Sequence, residues 1–200
     1  MGKLLKFLIP MLLLLLVFWR RDKDEPKKAL PSEVPNKQEA AEQQYALFQN
    51  WLGVLYRDRP QKLAELSAAV GEYIRDDSVD GSDDASVDNV LNFGALGELD
   101  SEYVFAVDWK DSELFVDGVD AMAVRLGAKV QWPDDWAQQL PEQLMGTAYT
   151  QLLVQQVALY NAQTDGDFYV LMAVRQQDEA DLKAAAQAWG LAIRPAEQPY

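Results

Sequence analysis

Residues 103–111 read Tyr-Val-Phe-Ala-Val-Asp-Trp-Lys-Asp, and together with the pattern of residues 112–194 they decide the fold. A short run of β-branched and aromatic residues that ends in charge is a strand. Ser112 then caps a predicted helix over 113–126, closed by Gly127. Ala128 to Trp132 is expected as a second short strand, stopped by Pro133. Pro141-Glu142 opens a helix expected to reach about residue 157, with Leu144, Ala148, Leu152 and Val157 inward. Leu159 to Ala162 is expected as a strand. Asp165-Gly166 makes a turn, and Asp167 to Val174 is the clearest strand in the chain. Asp178, with Asp181 three residues on, starts a helix to Trp189, and Gly190 ends it. Leu191 to Arg194 forms a last strand. This alternation predicts an α/β or α+β domain over 100–195, with helices on a mixed sheet of four to five strands.

Upstream, residues 39–57 carry Ala41, Tyr45, Phe48, Trp51, Leu52 and Leu55 at three- and four-residue steps, an amphipathic helix. Asp58-Arg59-Pro60 breaks it. Leu63, Leu66, Val70, Tyr73 and Ile74 mark a second helix over about 61–74, so 39–75 reads as a helical hairpin whose stripes pack on the domain. Residues 76–99 are an acidic loop and a short helix. Within that loop Asp76, Ser78, Asp80, Gly81, Ser82 and Asp84 imitate a calcium loop. Val87 stands where the bidentate Glu belongs, so the loop is read as a solvated one.

Residues 1–21 are read as a membrane anchor and 22–38 as a Pro-bearing charged linker. The apolar stretch Leu4–Trp19 is sixteen residues, about 24 Å as a helix against a hydrocarbon core of about 30 Å. Lys3 and Lys6 on one side, Trp19, Arg20 and Arg21 on the other, reach the headgroups. No small residues mark a cleavage site, which favours an uncleaved transmembrane helix over a signal peptide. Two bases precede the span and five come after it within ten residues. The positive-inside rule then expects a single pass through the inner (cell) membrane with the body cytoplasmic, a periplasmic body being the alternative.

The 200-residue chain has no cysteine and no histidine, which excludes disulfides, thiolate and imidazole metal sites and every His-based triad. Its net charge is −14: residues 1–30 carry +4 and residues 31–200 carry −18. Such a body repels phosphate backbones, so no nucleic acid is expected as a partner. It attracts a basic protein. No cofactor is expected.

Two acidic groups are candidate binding residues. Asp108, Trp109, Lys110 and Asp111 end the first strand, where α/β sheets place ligands. Asp165 and Asp167 flank the best strand. If these edges adjoin, carboxylates and a lysine converge on one place. Against this, Asp-Gly is ordinary turn chemistry and an Asp before a helix commonly caps it. Trp132-Pro-Asp-Asp-Trp136 reads as a turn whose tryptophans cap the core.

The run 103–111, the stretch Thr164-Asp-Gly-Asp-Phe-Tyr-Val-Leu171 and the end Gly190-Leu-Ala-Ile-Arg194 together resemble a bacterial domain-of-unknown-function family over residues 100–195. The resemblance implies a fold unit and no activity. The expected function is a membrane-anchored acidic protein-interaction domain, a binding or inhibitor/immunity-type module held to lipid by its N-terminal helix. The alternatives are a carboxylate-dependent, metal-assisted hydrolase and a structural cell-envelope factor.

Overall fold

The structure, a computed structural model, describes residues 37–68, 100–164 and 166–200. The expected anchor with Lys3, Lys6, Trp19, Arg20 and Arg21, the linker up to residue 36, the end of the expected second helix with Val70, Tyr73 and Ile74, the acidic loop with its short helix, and Asp165 lie outside the described residues; the last two linker residues, Lys37 and Gln38, already belong to a helix. Among the described residues no helix is long and apolar enough to cross a membrane.

Two helices lead the described chain, α1 (Lys37–Leu55) and α2 (60–68), joined by the turn at the Asp58-Arg59-Pro60 breaker. Then come β1 (Val104–Asp108), α3 (Ser112–Arg125), α4 (Pro141–Leu153), β2 (Val157–Ala162), β3 (Phe168–Arg175), α5 (Glu179–Trp189) and β4 (Ile193–Pro195). The strands form one sheet in the order β1-β3-β2-β4. Every pairing is antiparallel, which corrects the expected mixed sheet. The β2–β3 hairpin inserts β3 between β1 and β2, and β2 between β3 and β4. Each helical crossover therefore joins parallel strands that are not neighbours, an α+β arrangement.

Side chains alternate across the strands, so the sheet builds two cores. Val104, Tyr160, Val170 and Met172 face α1 and α5. Phe105, Val107, Leu159 and Leu171 face α3 and α4. Helices on both faces explain why β2 is buried along its whole length and β3 through its centre. The α1 stripe does pack on the domain: Phe48 and Trp51 each meet the Trp189 ring of α5 at 5.1 Å between centroids. On the other face α3 lies hard against β1. A Cβ at Gly118 would come within 2.5 Å of the Phe105 ring, so only glycine admits that approach.

Gly127 (φ 66°) and Gly190 (φ 88°) close α3 and α5 in the left-handed conformation, as the sequence predicts. Three local expectations fail. Helix α4 stops at Leu153, because Gln156 turns the chain at φ 62° and Val157 already belongs to β2. Residues 128–132 are not a strand. Their backbone is paired by side chains of α4 and the turn after it instead. Gln155 Oε1 accepts from Lys129 N (3.1 Å) and its Nε2 donates to Lys129 O (2.7 Å). Gln151 does the same for residue 131, at 2.8 Å in each direction. Two glutamines four residues apart thus stand in for a neighbouring strand. Finally, the cap of α3 is Asp111, not Ser112; Ser112 is buried, and its hydroxyl donates to Gln139 O. Trp132 and Trp136 pack on the α3–α4 core, as expected, and Trp132 Nε1 donates to Asp120 at 3.0 Å.

Candidate functional site

The antiparallel register brings the first sequence-predicted group beside Asp167 of the second. Asp108 is the last residue of β1 and pairs with Phe168, the first of β3. One step on, Trp109 N donates to Asp167 O at 3.3 Å. Asp108, Trp109, Lys110 and Asp111 therefore sit beside Asp167 at one end of the sheet. Trp109 is 37 % exposed, and the Lys110 ammonium lies 4.2 Å from the centre of its ring, a cation–π contact.

The carboxylates, however, are engaged by the backbone rather than turned on one another. Asp108 Oδ1 accepts from Lys110 N at 2.8 Å, an Asx turn, and Asp111 Oδ1 accepts from Leu114 N at 2.9 Å, the cap of α3. Among the described residues no three acidic side chains are grouped so as to hold a metal ion. What the strand ends do build is a cleft of about 210 Å³, walled by Trp109, Phe168, Tyr169 and Tyr200 with Asp167 at its edge. The C-terminal segment is fixed there by the Arg194 guanidinium, 3.6 Å from the centre of the Tyr200 ring. An aromatic cleft with the Asp167 carboxylate at its edge can receive a side chain of mixed character, apolar along its stem and charged at its tip.

Sequence reasoning missed the other end of the sheet. Arg125, the last residue of α3, has a side chain only 5 % exposed. Its Nε donates to Glu102 O (2.7 Å) and its Nη2 to Ala173 O (2.8 Å), while the guanidinium lies 4.1 Å from the Tyr103 ring centre. Tyr103 stacks in turn on Tyr56 at 3.9 Å. Burial lowers the pKa of Arg125, an effect opposed by Asp58, and raises that of Tyr56. On the rim, Arg57 pairs with Asp178 and, at 2.7 Å, with Asp181. In sequence these two carboxylates signal the start of α5. The helix does begin there, but Asp178 makes no side-chain cap bond. A cation at a helix C-terminus is also ordinary dipole chemistry, so no local signal distinguishes Arg125.

Residues 47–196, three quarters of the chain, match the family model described as domain of unknown function DUF6630. The chain belongs to the DUF6630 family. The DUF6630 match begins near the middle of α1, well before residue 100, so the family unit takes in the second half of α1 and the described part of α2 as well as the sheet. No curated protein and no solved structure matches the chain.

Proposed function

We propose that this protein is a non-enzymatic, membrane-anchored interaction domain whose acidic body meets a basic protein partner at the Trp109 end of the sheet. One observation carries the reading. The β1–β3 register sets the strand end Asp108–Asp111 beside Asp167, and Trp109 and Asp167 line an aromatic cleft open to solvent there. Exposed aromatics backed by a rigid sheet are the residues that anchor interfaces, and carboxylates on the rim steer a basic partner. A body of −18 supplies the long-range part of that field. The anchoring part of the proposal rests on Leu4–Trp19 and the bases around it, and the cytoplasmic side on the five bases after Trp19.

The test is affinity capture with the full chain, compared with a Trp109→Ala/Asp167→Asn double variant. A basic protein is expected to be held by the wild type, lost from the variant, and slower to associate as salt is raised. A partner retained equally by the double variant would overturn the assignment of this end of the sheet.

A further inference from the structure

At the end of the sheet opposite Trp109, a cleft of about 270 Å³ opens between the turn after α1, the C-terminal turn of α3 and the last residues of β3. Its charged walls are Arg57, Arg125 and Arg175 against Asp58 and Asp178. Arg57 is already satisfied by Asp178 and Asp181. That leaves two guanidiniums, Arg125 and Arg175, facing one carboxylate. Arg125 is fixed in place through Nε and Nη2, while its Nη1 lies 3.8 Å from Asp58 Oδ1, beyond hydrogen-bond reach. Arg175 makes no ion pair and no side-chain hydrogen bond among the described residues. In a chain of net charge −14, three arginines against two carboxylates in the lining of one cleft are a local departure from the acidic surface, and Arg125 and Arg175 are the two not held by Asp178 and Asp181.

We infer that this cleft binds a small oxyanion, presented by a free phosphate or a small carboxylate, between Arg125 and Arg175. Guanidinium is the group that recognises such anions through paired N–H donors, and a buried, pre-fixed fork loses little freedom on binding. The volume is just under the usual range for ligand pockets, which suits one anionic group on a small molecule. Asp58 occupies the position of the anion's competitor. It is half exposed, and its own contacts are long: 3.8 Å to Arg125 and 3.4 Å from the Tyr103 hydroxyl. An incoming oxyanion therefore displaces a loosely held carboxylate rather than a tight ion pair.

Calorimetric titration of the full chain with sodium phosphate and with sodium succinate, against sodium chloride at matched ionic strength, tests this. Saturable binding of one anion and not the other supports the site and identifies its source chemistry. Arg175→Gln should weaken it about tenfold or more, the worth of one charge-assisted contact. The melting temperature without anion should not change, since Arg175 has no ion pair or side-chain hydrogen bond among the described residues to lose. Asp58→Asn should tighten binding by about threefold or more, by removing the competing charge. The inference fails if neither anion binds saturably to the wild type or to the Asp58→Asn chain, or if Arg175→Gln leaves binding unchanged.

Discussion

At the Trp109 end of the sheet, charged side chains stand in solvent and bind backbone groups two or three residues away: Asp108 to Lys110, Asp111 to Leu114. At the Arg125 end they reach across the chain. Arg57 meets carboxylates more than 120 positions later, and Arg125 joins Glu102, Ala173 and Asp58. The first arrangement leaves aromatic surface and charge available to a partner. The second stitches the end of α1, α3, β3 and α5 together around a pocket where three arginines face two carboxylates. One sheet thus presents an acidic, aromatic end built from local turns and an arginine-rich end built from long-range pairs, and the two should answer to mutation differently.

The largest effect is expected at Arg125. Arg125→Met keeps much of the apolar stem but leaves two carbonyls without their donor and removes the stack on Tyr103. It should cost about 3 kcal/mol, in the range for breaking a buried charged network, measured by urea unfolding. A loss below about 1 kcal/mol would make the Arg125 end no more than a surface feature. At the opposite end Asp111→Ala should cost only about 1 kcal/mol, the worth of a helix cap. Asp108→Asn should cost less than that, because an amide oxygen still accepts from Lys110 N. Equal losses at Asp108 and Asp111 would break the distinction between turn and cap.

A smaller, pH-dependent effect comes from α5, near the Arg125 end. Glu179 accepts from Lys183 Nζ and from the Tyr160 hydroxyl, each at 2.5 Å, and both bonds lower its pKa. A carboxylate depressed in the folded state contributes stability that is complete above its unfolded pKa and is lost as pH falls through the folded one. The melting temperature should therefore fall on acidification below about pH 4, and fall less in Glu179→Gln. In the alkaline direction, burial first and the Glu179 carboxylate second hold the Tyr160 hydroxyl up at about 12. Tyrosine absorbance near 295 nm should show a late-titrating group that moves to lower pH in Glu179→Gln.

The same contrast explains what is legible in the chain without its structure. Strands β1 and β3, the glycine stops at 127 and 190 and the amphipathic face of α1 are legible because each is a local pattern of a few residues. So is the chance that Asp108 and Asp167 meet, since both lie at strand ends. The antiparallel sheet is not. An alternation of strand and helix reads as parallel neighbours, and only the insertion of β3 between β1 and β2 makes the pairing antiparallel. Residues 128–132 look like a strand locally, yet their partner is a pair of glutamine side chains twenty and twenty-six residues away. Arg125 carries no local signal, since its role depends on carbonyls at residues 102 and 173.

The proposed division of the sheet, one end for a basic partner and the other for an oxyanion, is tested most directly by amide chemical shifts of the full chain in detergent. Two titrations suffice, one with a lysine oligopeptide and one with sodium phosphate. The peptide is predicted to move residues 108–111 and 166–169, and phosphate to move the neighbourhood of Asp58, Arg125 and Arg175, with little overlap. Shifts from both titrants in the same set of residues, or none at either end, would contradict this division of the sheet.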